Sequence, residues 1–501
     1  MKKLFGYICT GVAAAMLVSC NLDLTPTTSI AYDENGQLIQ SEANLNAFRA
    51  GMFASYRSYQ LGEFTTAEEV MTDGFNATLD YGNNYGGLHK TDYNFTAGDY
   101  YVADYWNYSY VGIKDYNILI ANTENVPEQI KDAARAVQGE AYFLRAATYL
   151  NLARHFAKIP STVNAEDRDK ELCVPLVLVY DQLEKPARAS VAAVYGQIKK
   201  DLDSAAVRLS DVTGKAGAMY PTIDAVNALY ARYFLDMGEY GKAAEYAHLV
   251  IDTGAYVLSS TAKEMENEFE FDNGREAIYQ LSATLTESTN SNTFWTGYTT
   301  DTQHEYVFRP YFIPTKTLVD LYEPGDLRLA QWFDNTTWCL VNATYSQGDY
   351  YVFKKYWGNP NLTSSLKNGR QAPKPFTISE MFLIAAEAYL AAGEAGKAKD
   401  DLNNLQVMRG ASATDATEEA IRNEWFKEKV GEGFRMSCLK RWKKGFSSRP
   451  VQPGAAKVLN HGDVYDQKEL PADDYHWQWP IPADERKINK NLVQNAGYDE
   501  L

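Results

Sequence analysis

A hexapeptide that occurs twice constrains this chain more than any other feature. Gly238-Glu239-Tyr240-Gly241-Lys242-Ala243 recurs 155 residues on as Gly393-Glu394-Ala395-Gly396-Lys397-Ala398. Each copy lies between stretches with apolar residues at three-to-four spacing. Upstream, Ala231, Phe234 and Leu235 match Ala386, Tyr389 and Leu390; downstream, Ala247 and Val250 match Leu402 and Leu405. The pattern predicts helix, glycine turn, helix. Glycine ends the first helix in a left-handed conformation, small residues let two antiparallel helices approach, and about 34 residues per unit is the tetratricopeptide period. Units are expected at about 222–254 and 378–410. A third, at about 132–209, pairs Asp132 to Phe156 with Val191 to Leu209 around an extended excursion that contains Pro160 and Leu172-Cys173-Val174-Pro175-Leu176. Such units stack on one shared core, so the expected architecture is mainly α and a single domain.

The rest of the chain departs from this pattern at both ends and in the middle. Met1-Lys2-Lys3 followed by the apolar run Leu4 to Val18 reads as a signal peptide over residues 1–19, too short to span a membrane. It ends in Leu17-Val18-Ser19-Cys20, a loose bacterial lipobox. Cys20 is therefore the expected lipidation site and the first residue of a mature domain over 20–501, anchored by several acyl chains to a membrane. Residues 21–44 read as a polar tether and Ala43 to Tyr59 as the first helix. Two segments, about 72–101 and 256–376, are turn-rich and aromatic, with short strands expected at Ala277 to Leu281 and Tyr350 to Lys354. Between the first of them and the third unit, a helix is expected from near Tyr105. Long loops in a compact protein are usually functional.

Charge and chemistry narrow the function. The formal net charge is -17, and loss of the leader removes two lysines and no acids, leaving -19. No Lys/Arg cluster offers phosphate contacts, so nucleic acid is not an expected partner. Cys173, Cys339 and Cys438 are too few and too far apart for a disulfide framework or a zinc site, and read as buried thiols. The six His include no pair at metal-ligand spacing, and neither a nucleophile elbow nor a phosphate loop occurs. No cofactor or metal is expected. The 65 acids leave open a pair of catalytic carboxylates, which needs only spatial proximity. A tethered glycoside hydrolase therefore stands as one alternative, beside an adaptor that uses only its helices.

Several motifs carry a family resemblance along nearly the whole chain. They are Glu140-Ala141-Tyr142-Phe143-Leu144-Arg145-Ala146; Ile251-Asp252-Thr253-Gly254-Ala255-Tyr256-Val257-Leu258; Glu380 to Ala388 with Leu402-Asn403-Asn404-Leu405 and Arg409-Gly410-Ala411; Glu424, Glu428, Glu432-Gly433, Arg435 and Arg441-Trp442; and the closing Trp479-Pro480-Ile481-Pro482 to Gly497-Tyr498. Together they resemble the SusD/RagB family of outer-membrane glycan-binding lipoproteins of Bacteroidetes. Trp425, Lys429 and Cys438 depart from the family pattern of Arg, Leu and Asp, which puts one internal salt bridge in doubt. The signature acids and arginines, at three-to-four spacing, read as structural helix-face ion pairs and capping contacts.

The resemblance implies a SusD-like fold, with tetratricopeptide-type helix pairs packed against a loop-rich region. It also implies no catalytic residue, a glycan ligand, and a SusC-like TonB-dependent transporter barrel as partner at the cell surface. A peptide ligand is the alternative within the same family. Sugar binding needs flat aromatic faces beside amides or other hydrogen-bonding groups. The candidates are accordingly Tyr81, Asn83, Asn84 and Tyr85 in one loop and Trp295 and Tyr298 in another, with Trp332, Trp338, Tyr350 and Trp357 behind them. Tyr, Phe and Trp number 36, 21 and 9, but Tyr142, Phe143, Tyr149, Tyr230 and Tyr233 fall on repeat helices, so the aromatic total says little by itself.

Overall fold

The computed structural model describes residues 37–92, 94–290, 294–300, 303–363 and 366–498. Cys20 lies outside them. The scaffold is helical: α1 (Glu42–Gln60), α2 (Tyr100–Asn122), α3 (Lys131–Phe156), α4 (Val191–Leu209), α5 (Ile223–Met237), α6 (Tyr240–Ile251), α7 (Ile378–Ala391), α8 (Ala395–Met408), α9 (Glu418–Glu428) and α10 (Arg435–Arg441). The helices from α2 to α8 pack each on the next. Contact between α6 and α7 is extensive although residues 252–377 separate them in sequence. The loop-rich segment is thus an excursion from a continuous helical stack.

The duplicated hexapeptide makes the same turn twice. Gly238 (φ 75°) donates its N–H to Leu235 O at 3.1 Å while Glu239 N–H reaches Phe234 O at 2.9 Å. Gly393 (φ 82°) and Glu394 repeat both bonds to Leu390 O and Tyr389 O at 3.0 and 2.8 Å. Positive φ favours glycine, and the two bonds satisfy carbonyls that the helix end would leave unpaired. Ala243, Ala244 and Ala247 on α6 and Ala385, Ala386 and Ala388 on α7 are buried at the crossing, where small side chains allow close packing. Predicted helix bounds hold to within a residue or two, except that α2 begins at Tyr100 rather than near Tyr105.

Among the described residues, strands are confined to the excursion and the loop before α2. β1 (Phe75–Ala77) pairs antiparallel with β4 (Phe312–Pro314). A four-stranded sheet runs in the order β2 (Trp295–Thr299), β3 (Val307–Pro310), β5 (Trp338–Val341), β6 (Thr344–Ser346), with β3 and β5 parallel. The strands predicted at Ala277 and Tyr350 are shorter, Ala277–Tyr279 and Val352–Phe353. Phe75, Phe294 and Phe353 pack with centroids 4.3 to 5.4 Å apart, which fastens β1 to the excursion. The C-terminal segment closes the molecule by returning to its first half. Arg449 donates to Thr72 O and Met71 O at 2.7 and 2.9 Å, and Arg188 reaches Asn495 Oδ1 at 2.9 Å.

The signature ions hold this assembly together. Arg409, wholly buried, uses its full set of five donors: Glu276 takes two, Glu428 two and Ser259 O one, at 2.6 to 3.0 Å. Arg328, also buried, joins Asp326, Glu424 and Glu428. Apart from Asp326–Arg328, these pairs cross between elements. Where the family pattern is broken, Lys429 pairs with Glu432, and Arg441 takes Glu387 as its partner beside Cys438. Cys173, Cys339 and Cys438 are buried and free.

One buried acid gives a pH signature. Glu69 Oε1 accepts from Gly433 N–H and Phe434 N–H at 2.9 and 3.1 Å, yet burial and neighbouring Glu68 push its pKa up to about 8. A raised folded pKa means stability that is full below the unfolded carboxylate value and is lost as pH rises through about 8. Glu69→Gln keeps the acceptor and removes the titration. Against this variant, the wild type is expected to lose up to about 1.4 kcal/mol per pH unit in that window. Urea unfolding from pH 5 to 9 measures it, and parallel curves would contradict the assignment.

Candidate functional site

Two tight turns shape the loop-rich face. In the first, Asn83 (φ 61°) and Tyr85 (φ 53°) both adopt left-handed backbone, which Asn tolerates and Tyr does not favour. Tyr85 is held there by its hydroxyl on the Glu63 carboxylate and its ring edge-on to Tyr101 at 5.4 Å. Tyr81 is buried: its ring packs against Phe312, and its hydroxyl donates to Asn83 Oδ1 at 3.0 Å and meets Tyr465 Oη at 3.2 Å. Burial first, then the Tyr465 contact, raise its pKa. Asn84 turns inward to donate to Tyr81 O at 2.7 Å. Of this group the exposed member is Asn83, and the two tyrosines support it from beneath.

The turn forms one wall of an open bowl of about 350 Å³. Its other side is the start of α2, where Asp99 caps the helix by accepting from Tyr101 and Val102 N–H at 2.9 and 3.2 Å. That cap places Tyr100 at the first helical position, 57% exposed. Asn83, Lys90, Asn94 and Thr96 line the bowl beside it, and Lys90 Nζ donates to Asn83 Oδ1 at 3.2 Å. Burial raises the pKa of Asp99.

The second turn, Asn342-Ala343 with both φ positive, closes the β5–β6 hairpin with the twist such hairpins need. Asn342 N–H donates to Asp80 Oδ2 at 2.9 Å, which fastens the hairpin to the first turn. Here His304 stacks on half-buried Trp338 at 4.0 Å and 18°, and Tyr345 meets His304 edge-on at 4.8 Å. Tyr306 nearby in sequence is 40% exposed. A bonded path from the bowl through Tyr81 and Asp80 therefore ends at a second aromatic cluster.

Other expected residues fall elsewhere. Trp332 ends a short helix, Leu327–Trp332, and is wholly buried, with Lys355 Nζ 3.7 Å above its ring and Phe269 against its edge; the loop expectation is corrected, because this aromatic fills core. Tyr350 and Trp357 are buried as well. Trp295 and Tyr298 lie on β2, in register with Pro310 and Phe308, and their side chains lie outside the described residues. Sequence reasoning missed Tyr100, Lys90, Asn94, His304 and Tyr345. The Gly98-Asp99 step before a helix is a capping signal that could have found Tyr100. Among the described residues no group of three His, Cys, Asp or Glu could hold a metal ion.

Fold and sequence together define the class, and the chain belongs to the SusD family. The model described as "SusD family" matches residues 214–498, and one described as "Starch-binding associating with outer membrane" matches 22–235. Among individual relatives, SusD-like protein P2 of Formosa agariphila is 24% identical over 96% of this chain and 97% of its own. A SusD superfamily protein of Bacteroides thetaiotaomicron has the same fold, with a TM-score of 0.74 at 23% identity over 90% of this chain and 99% of that one. A laminarin-binding SusD-like protein superposes with a TM-score of 0.69 at 21% identity over 92% of this chain and 100% of that one.

Proposed function

We propose that this chain is a lipid-anchored surface protein that binds an oligosaccharide or polysaccharide and delivers it to a TonB-dependent outer-membrane transporter. The observation that carries the reading is the pairing of exposed Tyr100 with amides in the bowl, linked through Asp80 to the His304–Trp338 stack. Flat rings take the apolar faces of sugars while Asn83, Asn94 and Lys90 bond hydroxyls. The outer-membrane and starch-binding description of one matching family model and the laminarin-binding neighbour support the ligand class. The proposed anchor is Cys20; no described helix is long and apolar enough to cross a membrane. The role asked of the protein is capture and release, without bond cleavage.

Affinity electrophoresis in gels containing starch, laminarin or other neutral polysaccharides tests the ligand, with chromatography of the incubated glycan as a check for cleavage. Retardation in at least one gel with intact glycan is expected. Shortened products would favour a hydrolase, and retention of peptides without retention of any glycan would favour a peptide importer.

A further inference from the structure

A second cleft lies between the helical stack and the loop-rich half, away from the bowl. It is open at its mouth and its interior volume is about 110 Å³, the scale of cavities that take a single small ring. Phe64, Thr65 and Phe434 stand at the mouth, each partly exposed, and Tyr56, Glu68, Tyr105 and Gln371 are buried in the wall.

The wall chemistry is selective. Its charged groups already have partners: Arg232 is bonded to Glu380, Arg154 to Asp236, Lys374 to Asp272, and Glu432 to Lys355 and Lys429. Glu68 Oε2 sits 2.7 Å from His155 Nε2. What remains is a set of oxygen acceptors. Glu68 Oε1 and Gln371 Oε1 are buried and have no hydrogen-bond partner among the described residues. A buried acceptor without a donor costs about 1–3 kcal/mol, which a bound O–H group recovers. An anionic ligand would meet the two unpaired acceptors, whereas hydroxyls can donate to them without adding charge to a wall whose ions are already paired. Neutral hydroxyls between aromatic rings are the remaining complement.

We propose that this cleft is a second ligand site, which takes a single ring of a neutral saccharide, free or at the end of a longer chain. The inference rests on the glycan-binding reading of the outer face but uses different residues, so the two fail separately. Saturation-transfer NMR with glucose, maltose and laminaribiose, and with glucosamine and glucuronate as charged controls, reads the cleft. Retention in polysaccharide gels reads the face. The variants are Gln371→Leu, which removes an acceptor at similar size, and Thr65→Trp, which fills the mouth from a partly exposed position. Each is expected to weaken neutral-sugar binding at least tenfold and leave gel retention unchanged, while Tyr100→Ala does the reverse. Thr65→Trp decides alone if Gln371→Leu fails to fold. The proposal is overturned if both folded variants bind the neutral sugars as the wild type does. It is equally overturned if a wild type retained in polysaccharide gels binds none of them, or if the charged sugars bind more tightly.

Discussion

Replacing Arg409 with alanine is expected to destabilise the protein by about 3–5 kcal/mol, the usual cost of removing one partner from a buried ion network. The substitution strands Glu276 and Glu428, both fully buried, and opens the carbonyl of Ser259. Burial alone would raise the pKa of Glu428, but Arg409 and Arg328 hold it well below the ordinary carboxylate range, so in the variant that carboxylate loses its main counter-charge. Arg409→Lys is expected to rescue only in part, because an ammonium cannot make two parallel pairs at once. Urea unfolding followed by circular dichroism measures both. An alanine variant with an unchanged midpoint would show that the network contributes nothing to stability. The acid limb has its own sign: a depressed folded pKa gives stability that is present above the unfolded value and lost as pH falls below it.

The second large effect concerns the outer face. Tyr100→Ala and Trp338→Ala are each expected to weaken polysaccharide binding by about 2 kcal/mol, roughly thirtyfold, the loss typical of an aromatic anchor. Because the two residues stand on separate elements, the double variant should lose roughly a thousandfold. Tyr81→Phe tests the supporting role given to the buried tyrosine. It removes the bonds to Asn83 and Tyr465 and keeps the ring, so a small loss is expected. Isothermal titration with whichever polysaccharide retards the wild type supplies the numbers. Undiminished affinity in the double variant would move the ligand away from this face.

The helical stack was legible in the sequence because its signals are local. A glycine turn between two periodic stretches, repeated at Gly238 and Gly393, specifies a helix pair without reference to the rest of the chain. The loop-rich half follows a different logic. Whether Trp332 or Trp338 faces solvent is decided by residues distant in sequence: Phe269 covers the first, and the second stacks on His304. No window of sequence records that difference. The same holds for Tyr81 and Tyr100, where the more turn-like context belongs to the buried residue. The signature acids were only partly open to local reading, since Glu424 pairs with Lys427 one helical turn away but also, with Glu428, finds Arg328 across the fold.

The return of the C-terminal segment to the first half has a consequence in time. Thr72 and Met71 wait for Arg449, and Arg188 waits for Asn495, so neither end of the chain can reach its final bonds until nearly all of it is available. Contacts between such distant residues form late, after the entropy of closing very large loops has been overcome. Until then the donors and acceptors of these long-range pairs stay unmatched.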